Sequence, residues 1–383
     1  MKKCIACGAP LMEEPLLDIE NMPASAQDIP DASQVEEERG VRLRLCQCSG
    51  CGLVQFDCEP VAYYQDVIRA GGFSTTMVEL RRSQYRHLIE TYHLEGKKFI
   101  EVGCGQGEFL SVLSEFPVEA AGLEHRESLA ALARKNGLSV FQGFAGDESA
   151  VIPGGPYDVF LSFNFLEHQP DPAGMLRAIY ANLTDDGMGL ITVPSFEYIL
   201  ENDGFYELIR DHLAYYTFDT LRQLLERCGF LVLEQERINR DTISMVVRKK
   251  PRIRLSGLER CFRELSEEAS GILNRLSEEG GRLAIWGASH QGFTLAAATG
   301  LAPRIAYIID SAPFKQGRFA PASHLPIVAP DHFLENPVET ILIVAPGYTQ
   351  EIYDIIRSRF GQNVEVLVLR SNHIEKFGGE REA

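Results

Sequence analysis

The chain lacks any run of the ~18 to 20 apolar residues that a membrane-spanning helix needs. Its most apolar stretch, from Leu283 to Leu301, is broken by Ser289, His290, Gln291 and Thr294, so no membrane span is expected. Positive charge is also scarce: 37 Lys plus Arg stand against 54 Asp plus Glu in 383 residues, a net charge of −17. No long basic stripe offsets that repulsion from a phosphate backbone, and nucleic acid is not expected as a partner. The opening Met1-Lys2-Lys3 has the look of a secretory leader, but Pro10, Glu13 and Glu14 cut its apolar run short, so the expected location is cytoplasmic. Apolar residues are not scarce. At 45% hydrophobic and 24% charged the chain can build sizeable cores, and its length predicts two or three domains.

Cysteine is sparse beyond residue 58. Six of the nine (Cys4, Cys7, Cys46, Cys48, Cys51, Cys58) fall within the first 58 residues, a local concentration rather than a disulfide framework. Cys4-Ile5-Ala6-Cys7-Gly8 and Cys48-Ser49-Gly50-Cys51-Gly52 repeat one pattern. Two intervening residues let both thiolates face one tetrahedral metal, and the following glycine permits the tight turn that aims N–H groups at sulfur. The expected ligands are Cys4, Cys7, Cys48 and Cys51, around a structural zinc ion in a closed site. Cys46 is a substitute for Cys48; buried thiols, a redox pair and an iron–sulfur cluster are the competing readings. Residues 10–40, rich in Pro, Asp and Glu, read as a loop that the metal closes.

From Lys97 short apolar runs alternate with helical patterns, which predicts a mainly parallel sheet with helices on its faces. Phe99 to Val102 is a buried strand, Gly103-Cys104-Gly105-Gln106-Gly107 a turn, and Glu108 opens a helix. The next strand, Ala120 to Leu123, ends at Glu124, a carboxylate suited to two ribose hydroxyls. Dinucleotide binders share that acid, yet they need Gly-x-Gly-x-x-Gly to face a pyrophosphate, whereas this chain has Gly-x-Gly-x-Gly behind acidic Glu101. The turn resembles the first motif of class I S-adenosylmethionine methyltransferases. Tyr157 to Leu161, ending near Asn164, and Gly187 to Pro194 read as later strands. Gly229 to Glu234 and Thr242 to Val247 read as the closing antiparallel pair of that fold. The expected cofactor contacts are Glu101, Gly103, Gly105, Gln106, Gly107, Glu124 and Asn164.

Arg248, Lys249, Lys250, Arg252 and Arg254 around Pro251 read as a solvated linker, with phosphate binding the lesser alternative. Leu258, Phe262, Leu265, Ile272 and Leu276 then mark an amphipathic helix whose stripe is expected to be core, stopped at Gly280-Gly281. A second strand and glycine turn follow: Leu283 to Trp286, then Gly287-Ala288-Ser289-His290-Gln291-Gly292. The next strand, Arg304 to Ile309, ends at Asp310. This is a second Rossmann-like unit, in which Ser289, His290, Lys315 and Arg318 could hold phosphate groups. The plain alternative is that Lys315 and Arg318 pair with surface acids.

The three parts together resemble the nucleotide-sugar C-methyltransferases that make branched deoxysugars of the mycarose type. The most specific pieces are Cys48 to Gln55, Glu101 to Gly107, Asp211-His212, and Ser311 to Arg318 with Pro326-Ile327 beyond. The resemblance implies α/β architecture: a zinc-binding module over residues 1–60, an S-adenosylmethionine-binding Rossmann-like domain over 61–250, and a nucleotide-sugar-binding Rossmann-like domain over 251–383. It implies His212 as base, with Asp211 beside it, since carbon is methylated through a carbanion equivalent that a ketone provides; His168, placed by its position after the fourth strand at the cofactor edge, could donate to the enolate oxygen. Either histidine read alone could equally be structural, Asp211 could cap a helix, and Tyr63 and Tyr64 read as packing at a domain edge. The chain departs from the family pattern at Ile209, where a Tyr is usual, at Gln291, where a Lys is common, and around Val67 to Ser74, where Arg69 replaces a Tyr. The alternatives are O- or N-methylation of another small acceptor, or a binding protein that keeps the fold without turnover.

Overall fold

The computed structural model describes residues 2–66, 74–251 and 253–378; Arg69 and Arg252 lie outside them. The chain divides into two units, residues 1–252 and 253–383. In the first, strands β1 (Leu17–Met22), β2 (Val41–Gln47) and β3 (Val54–Phe56) precede helix α1 (Thr75–Tyr92). There follow β4 (Lys98–Val102), α2 (Glu108–Leu113), β5 (Glu119–Glu124), α3 (Glu127–Lys135), β6 (Val140–Gln142), β7 (Tyr157–Phe163), α4 (Pro172–Ala181), β8 (Leu183–Pro194) and α5 (Phe196–Glu201). The unit closes with β9 (Ala214–Tyr215), α6 (Phe218–Arg227), β10 (Phe230–Ile238) and β11 (Thr242–Lys249).

Seven of these strands form one sheet in the order β10-β11-β8-β7-β4-β5-β6. Strand β11 runs antiparallel to β8 and β10, and the others are parallel. The sequence dictates helices on both faces, because both faces are apolar. Phe99, Val159, Leu161 and Phe163 pack with Tyr85, Leu88 and Ile89 of α1, while Ile100, Val102 and Phe160 pack with residues of α4 and α6 on the other side. Strand side chains alternate between faces, so only near-continuous apolar runs can feed two layers. The glycine turn after β4 thus sits at the carboxyl edge of the sheet, beside the reversal of strand order between β4 and β7, where such folds bind ligands.

The amino-terminal residues are not a free-standing module. Strand β1 falls inside the stretch expected to be loop, and the sheet β1-β2-β3 takes its fourth strand, β9, from the central domain. Val54 opposes Tyr215 and Gln55 opposes Ala214, so the 1–60 boundary is crossed by a sheet. The solvated-linker reading also needs correction at Lys249. It belongs to β11, is 3% exposed, and donates to the carbonyls of Tyr180 and Leu183, each at 2.9 Å.

The second unit opens with α7 (Ser256–Glu279), β12 (Leu283–Trp286), α8 (His290–Ala298) and β13 (Ile305–Ile309). It continues through β14 (Ile327–Val328), α9 (His332–Glu335), β15 (Thr340–Ile343), α10 (Thr349–Ile355), β16 (Glu365–Leu369) and β17 (Ile374–Lys376). Its sheet has the order β14-β13-β12-β15-β16-β17, parallel except for β17. The stripe of α7 is core only in its second half: Ala269 and Leu276 are buried, whereas Leu258 and Phe262 are exposed.

Candidate active site

The turn after β4 requires glycine three times, with φ of 74° at Gly103, 60° at Gly105 and 84° at Gly107, a region that side chains with a Cβ avoid. Beside it opens a cavity of about 560 Å³, within the usual range of small-molecule sites. Gly103, Gly105, Gln106, Glu124 and Asn164 line it; Glu101 and Gly107 do not. Glu101 is fully buried on β4. A Cβ on Gly107 would come within 2.3 Å of the Leu138 side chain, so close packing constrains this position as well. Glu124, at the end of β5, accepts from the N–H of Gly105 at 2.8 Å and of Arg126 at 2.9 Å. Each oxygen keeps further acceptor capacity for a hydroxyl. Asn164 stands at φ 47°, its side-chain Oδ1 accepting from the Thr192 hydroxyl at 2.9 Å.

Sequence reasoning missed Arg81. This buried residue of α1 lines the cavity, with its guanidinium 3.8 Å from the centre of the Phe163 ring and 2.5 Å from the Gln84 amide oxygen. The available signal was an arginine on a helix with no acid three or four residues away, at 77, 78, 84 or 85, where surface arginines commonly find one.

Deeper in the cavity stand Glu167, His168 and His212, with one nitrogen or oxygen of each lying within 4.8 Å of the others. His168 follows β7 on a single 3₁₀ turn, Leu166–His168. Its Nδ1 is 2.7 Å from the Asp211 carbonyl oxygen. A carbonyl only accepts, so Nδ1 carries the proton and Nε2 of the neutral ring carries the lone pair. That Nε2 lies 3.9 Å from the Glu167 carboxylate, and the His212 ring centre lies 4.8 Å from that of His168. Burial lowers the pKa of both rings; His212, with His168 as a lesser cause, is pushed down to about 3. Both imidazoles are therefore neutral at physiological pH. Two expectations change. Neutral His168 has no Nε2 proton to donate to an enolate, and Asp211 is not aimed at the His212 ring. The Asp211 carboxylate instead accepts from the Tyr63 hydroxyl at 2.6 Å and from the Ala26 N–H at 2.9 Å.

The four expected cysteines converge. All sulfurs of Cys4, Cys7, Cys48 and Cys51 lie within 4.8 Å of one another, with Cys4 to Cys51 at 3.7 Å and Cys7 to Cys48 at 3.4 Å. A tetrahedron with metal–sulfur bonds of ~2.3 Å has sulfurs ~3.8 Å apart, so these residues fit such an ion. The N–H groups of Gly50 and Cys51 point at Cys48 Sγ from 3.2 and 3.3 Å, the support that thiolate ligands need. Cys46 lies on β2, outside the cluster.

In the second unit two of the four expected phosphate contacts are engaged internally. The Ser289 hydroxyl caps α8 by accepting from Gly292 N–H at 3.4 Å, and Lys315 pairs with Asp310 at 2.9 Å. His290 and Arg318 are exposed.

A seven-stranded sheet of this order, with a glycine turn and an acid on the adjoining strand, defines the class I methyltransferase fold. Residues 77–235 match the family described as methyltransferase domain, and residues 254–368 match the C-methyltransferase C-terminal domain. The chain is an S-adenosylmethionine-dependent methyltransferase carrying the C-terminal domain of the C-methyltransferases. It is similar to the C-methyltransferase NovU of Streptomyces niveus, 26% identical over 290 residues, covering 68% of this chain and 69% of that one. The ubiquinone biosynthesis O-methyltransferase of Bordetella avium strain 197N is 28% identical over 99 residues, 24% of this chain and 41% of that protein. Among solved structures, the magnesium protoporphyrin IX methyltransferase of Synechocystis PCC 6803 superposes with a TM-score of 0.38 at 15% identity, covering 50% or less of this chain (49%) and 91% of that one.

Proposed function

We propose that the protein transfers a methyl group from S-adenosylmethionine to a carbon of a nucleotide-linked keto-deoxysugar. The observation that carries this reading is a pair of imidazoles, His168 and His212, with ring centres 4.8 Å apart in the same cavity as the glycine turn and Glu124. Carbon beside a ketone must lose a proton before it can accept the methyl group, and an imidazole is a base suited to that step; the match of residues 254–368 to the C-methyltransferase C-terminal domain favours carbon over oxygen as the acceptor. In the reading, His212 removes the proton adjacent to the sugar ketone, leaving an enolate. The enolate carbon bonds the methyl group as the sulfur–methyl bond breaks, giving S-adenosylhomocysteine and a branched sugar. The proton resides on the imidazole pair, where His168 Nε2 can accept it and Glu167 stabilises the cation.

Gly103, Gly105, Gln106, Glu124 and Asn164 are assigned to the cofactor, and His290 and Arg318 of the second, Rossmann-like unit to the nucleotide phosphates. Zinc is assigned to Cys4, Cys7, Cys48 and Cys51 in a structural role, since four thiolates leave no open position for substrate. The test is mass spectrometry of reactions in deuterated water with S-adenosylmethionine and dTDP-, CDP- and GDP-linked 4-keto-6-deoxysugars. A methylated sugar carrying deuterium from exchange at the acceptor carbon is expected. Methylation on oxygen or nitrogen, without exchange at carbon, would overturn the reading.

A further inference from the structure

We propose that Tyr63 is a positioning residue for proton abstraction, acting through Asp211 to hold the loop that carries His212 against the amino-terminal segment Ser25–Gln27. The inference rests on the reading of His168 and His212 as the proton-handling pair. Asp211 is 2% exposed, and a carboxylate so buried is held only by good donors. Its donors both come from the amino-terminal region: the Tyr63 hydroxyl at 2.6 Å and the Ala26 N–H at 2.9 Å. The same Tyr63 oxygen lies 2.7 Å from Ser25 Oγ and accepts from Gln27 N–H at 3.2 Å. One residue earlier, Arg210 donates to the Ala24 carbonyl at 2.8 Å.

The latch reaches the imidazoles by two routes. The Asp211 carbonyl accepts from His168 Nδ1 and so selects that ring's tautomer. The His212 backbone follows directly, and beyond it Leu213 accepts from the Phe56 N–H at 3.0 Å as the chain enters β9, paired with β3. His212 is thus strung between two anchors on the amino-terminal sheet and segment. Ala26 and Gln27 line the cavity, whereas Tyr63 does not, so the phenol acts on the site without touching what fills it.

Tyr63→Phe removes one oxygen and keeps the ring. In the full-length protein, ¹⁵N spectra of the imidazoles without substrate are expected to show a single Nδ1–H tautomer of His168 in the parent and a mixture in the variant. Turnover with the accepted sugar nucleotide is expected to fall about 10- to 100-fold, the usual consequence of a misplaced catalytic group, with the dissociation constant for S-adenosylmethionine unchanged. Combined with Asp211→Asn, the Tyr63→Phe change should add no further loss, because both act through one contact. Should Tyr63→Phe melt poorly, Ser25→Ala gives a smaller change in the same tautomer spectrum. An unaltered tautomer together with parental turnover would overturn the proposal, as would losses that multiply in the double variant. His212→Gln separates the two claims. Parental turnover in that variant removes the base assignment itself, whereas its inactivity beside a fully active Tyr63→Phe enzyme removes only the positioning role.

Discussion

The two units contain the same local device, a buried strand, a glycine turn, a helix and an acid at the end of the next strand, and they put it to different uses. In the first, Glu124 accepts from the turn at Gly105 and from its own loop at Arg126. In the second, Asp310 accepts from the turn at Ala288 and from its own loop at Ala312, each at 2.9 Å. The difference is what else reaches the acid. Lys315 closes on Asp310, and no cation does so at Glu124 among the ion pairs of the described residues. The turns differ as well. Gly103 and Gly105 border a cavity, whereas a Cβ on Gly287 would come within 2.5 Å of the Val344 carbonyl oxygen and one on Gly292 within 2.4 Å of Gly287 O. The second turn has its glycines for chain packing, and its acid is a brace.

The largest effect that sharpens this contrast is at the paired imidazoles of the first cavity; the second turn carries a single exposed one, His290. His212→Gln is expected to cut methyl transfer by about 100-fold or more, the usual contribution of general-base catalysis, while S-adenosylmethionine still binds by calorimetry. Next comes a matched pair. Glu124→Gln should weaken cofactor binding by about 10-fold or more, since it removes a charged acceptor from two hydroxyls. Asp310→Asn should leave that affinity unchanged and lower thermal stability instead, because Lys315 and a backbone N–H lose their partner. Equal effects of the two on cofactor affinity would end the distinction between site and brace. Cys48→Ser is expected to abolish zinc retention, measured by elemental analysis of the purified protein, and to expose the amino-terminal residues to protease.

Much of this was legible in the residues, and the failures have identifiable causes. The sheet announced itself because Phe99 to Val102 and Tyr157 to Leu161 put apolar residues on both faces, and the closing hairpin because Ile243, Met245, Val246 and Val247 make a short apolar run. Cysteine spacing carried the cluster, since Cys-x-x-Cys fixes local geometry wherever the chain goes. Partnership at long range was not legible. Nothing near Asp211 in the sequence points to Tyr63, 148 residues away, so adjacency to His212 suggested a dyad that the fold does not make. Lys249 read as linker because charge patterning sees a cation and not the two carbonyls of Tyr180 and Leu183 that receive it.

Acid sensitivity should divide the units as well, with the smallest effect of the set. Burial holds the His168 and His212 pKa values below the ordinary value near 6.5 in the folded chain, whereas the unfolded chain takes up protons at about that pH. Lowering the pH through 6.5 therefore stabilises the unfolded state alone, and stability drains from the first unit until His212 is itself protonated near pH 3. His290, His324 and His373 of the second unit are exposed. The one tryptophan of the chain, Trp286, lies in β12, so its fluorescence follows the second unit while circular dichroism follows the whole. Between pH 7 and pH 5 the dichroism melt is expected to fall by more than the Trp286 transition, and His212→Gln, which removes one such group, should narrow the gap. Activity follows the opposite logic: a ring already neutral at pH 8 stays neutral at pH 6, so the turnover profile should show no loss near 6.5 from protonation of His212. A half-maximal loss at that pH that disappears in a cavity variant preserving turnover would show that His212 titrates as an exposed imidazole does, and that burial does not hold the pair uncharged.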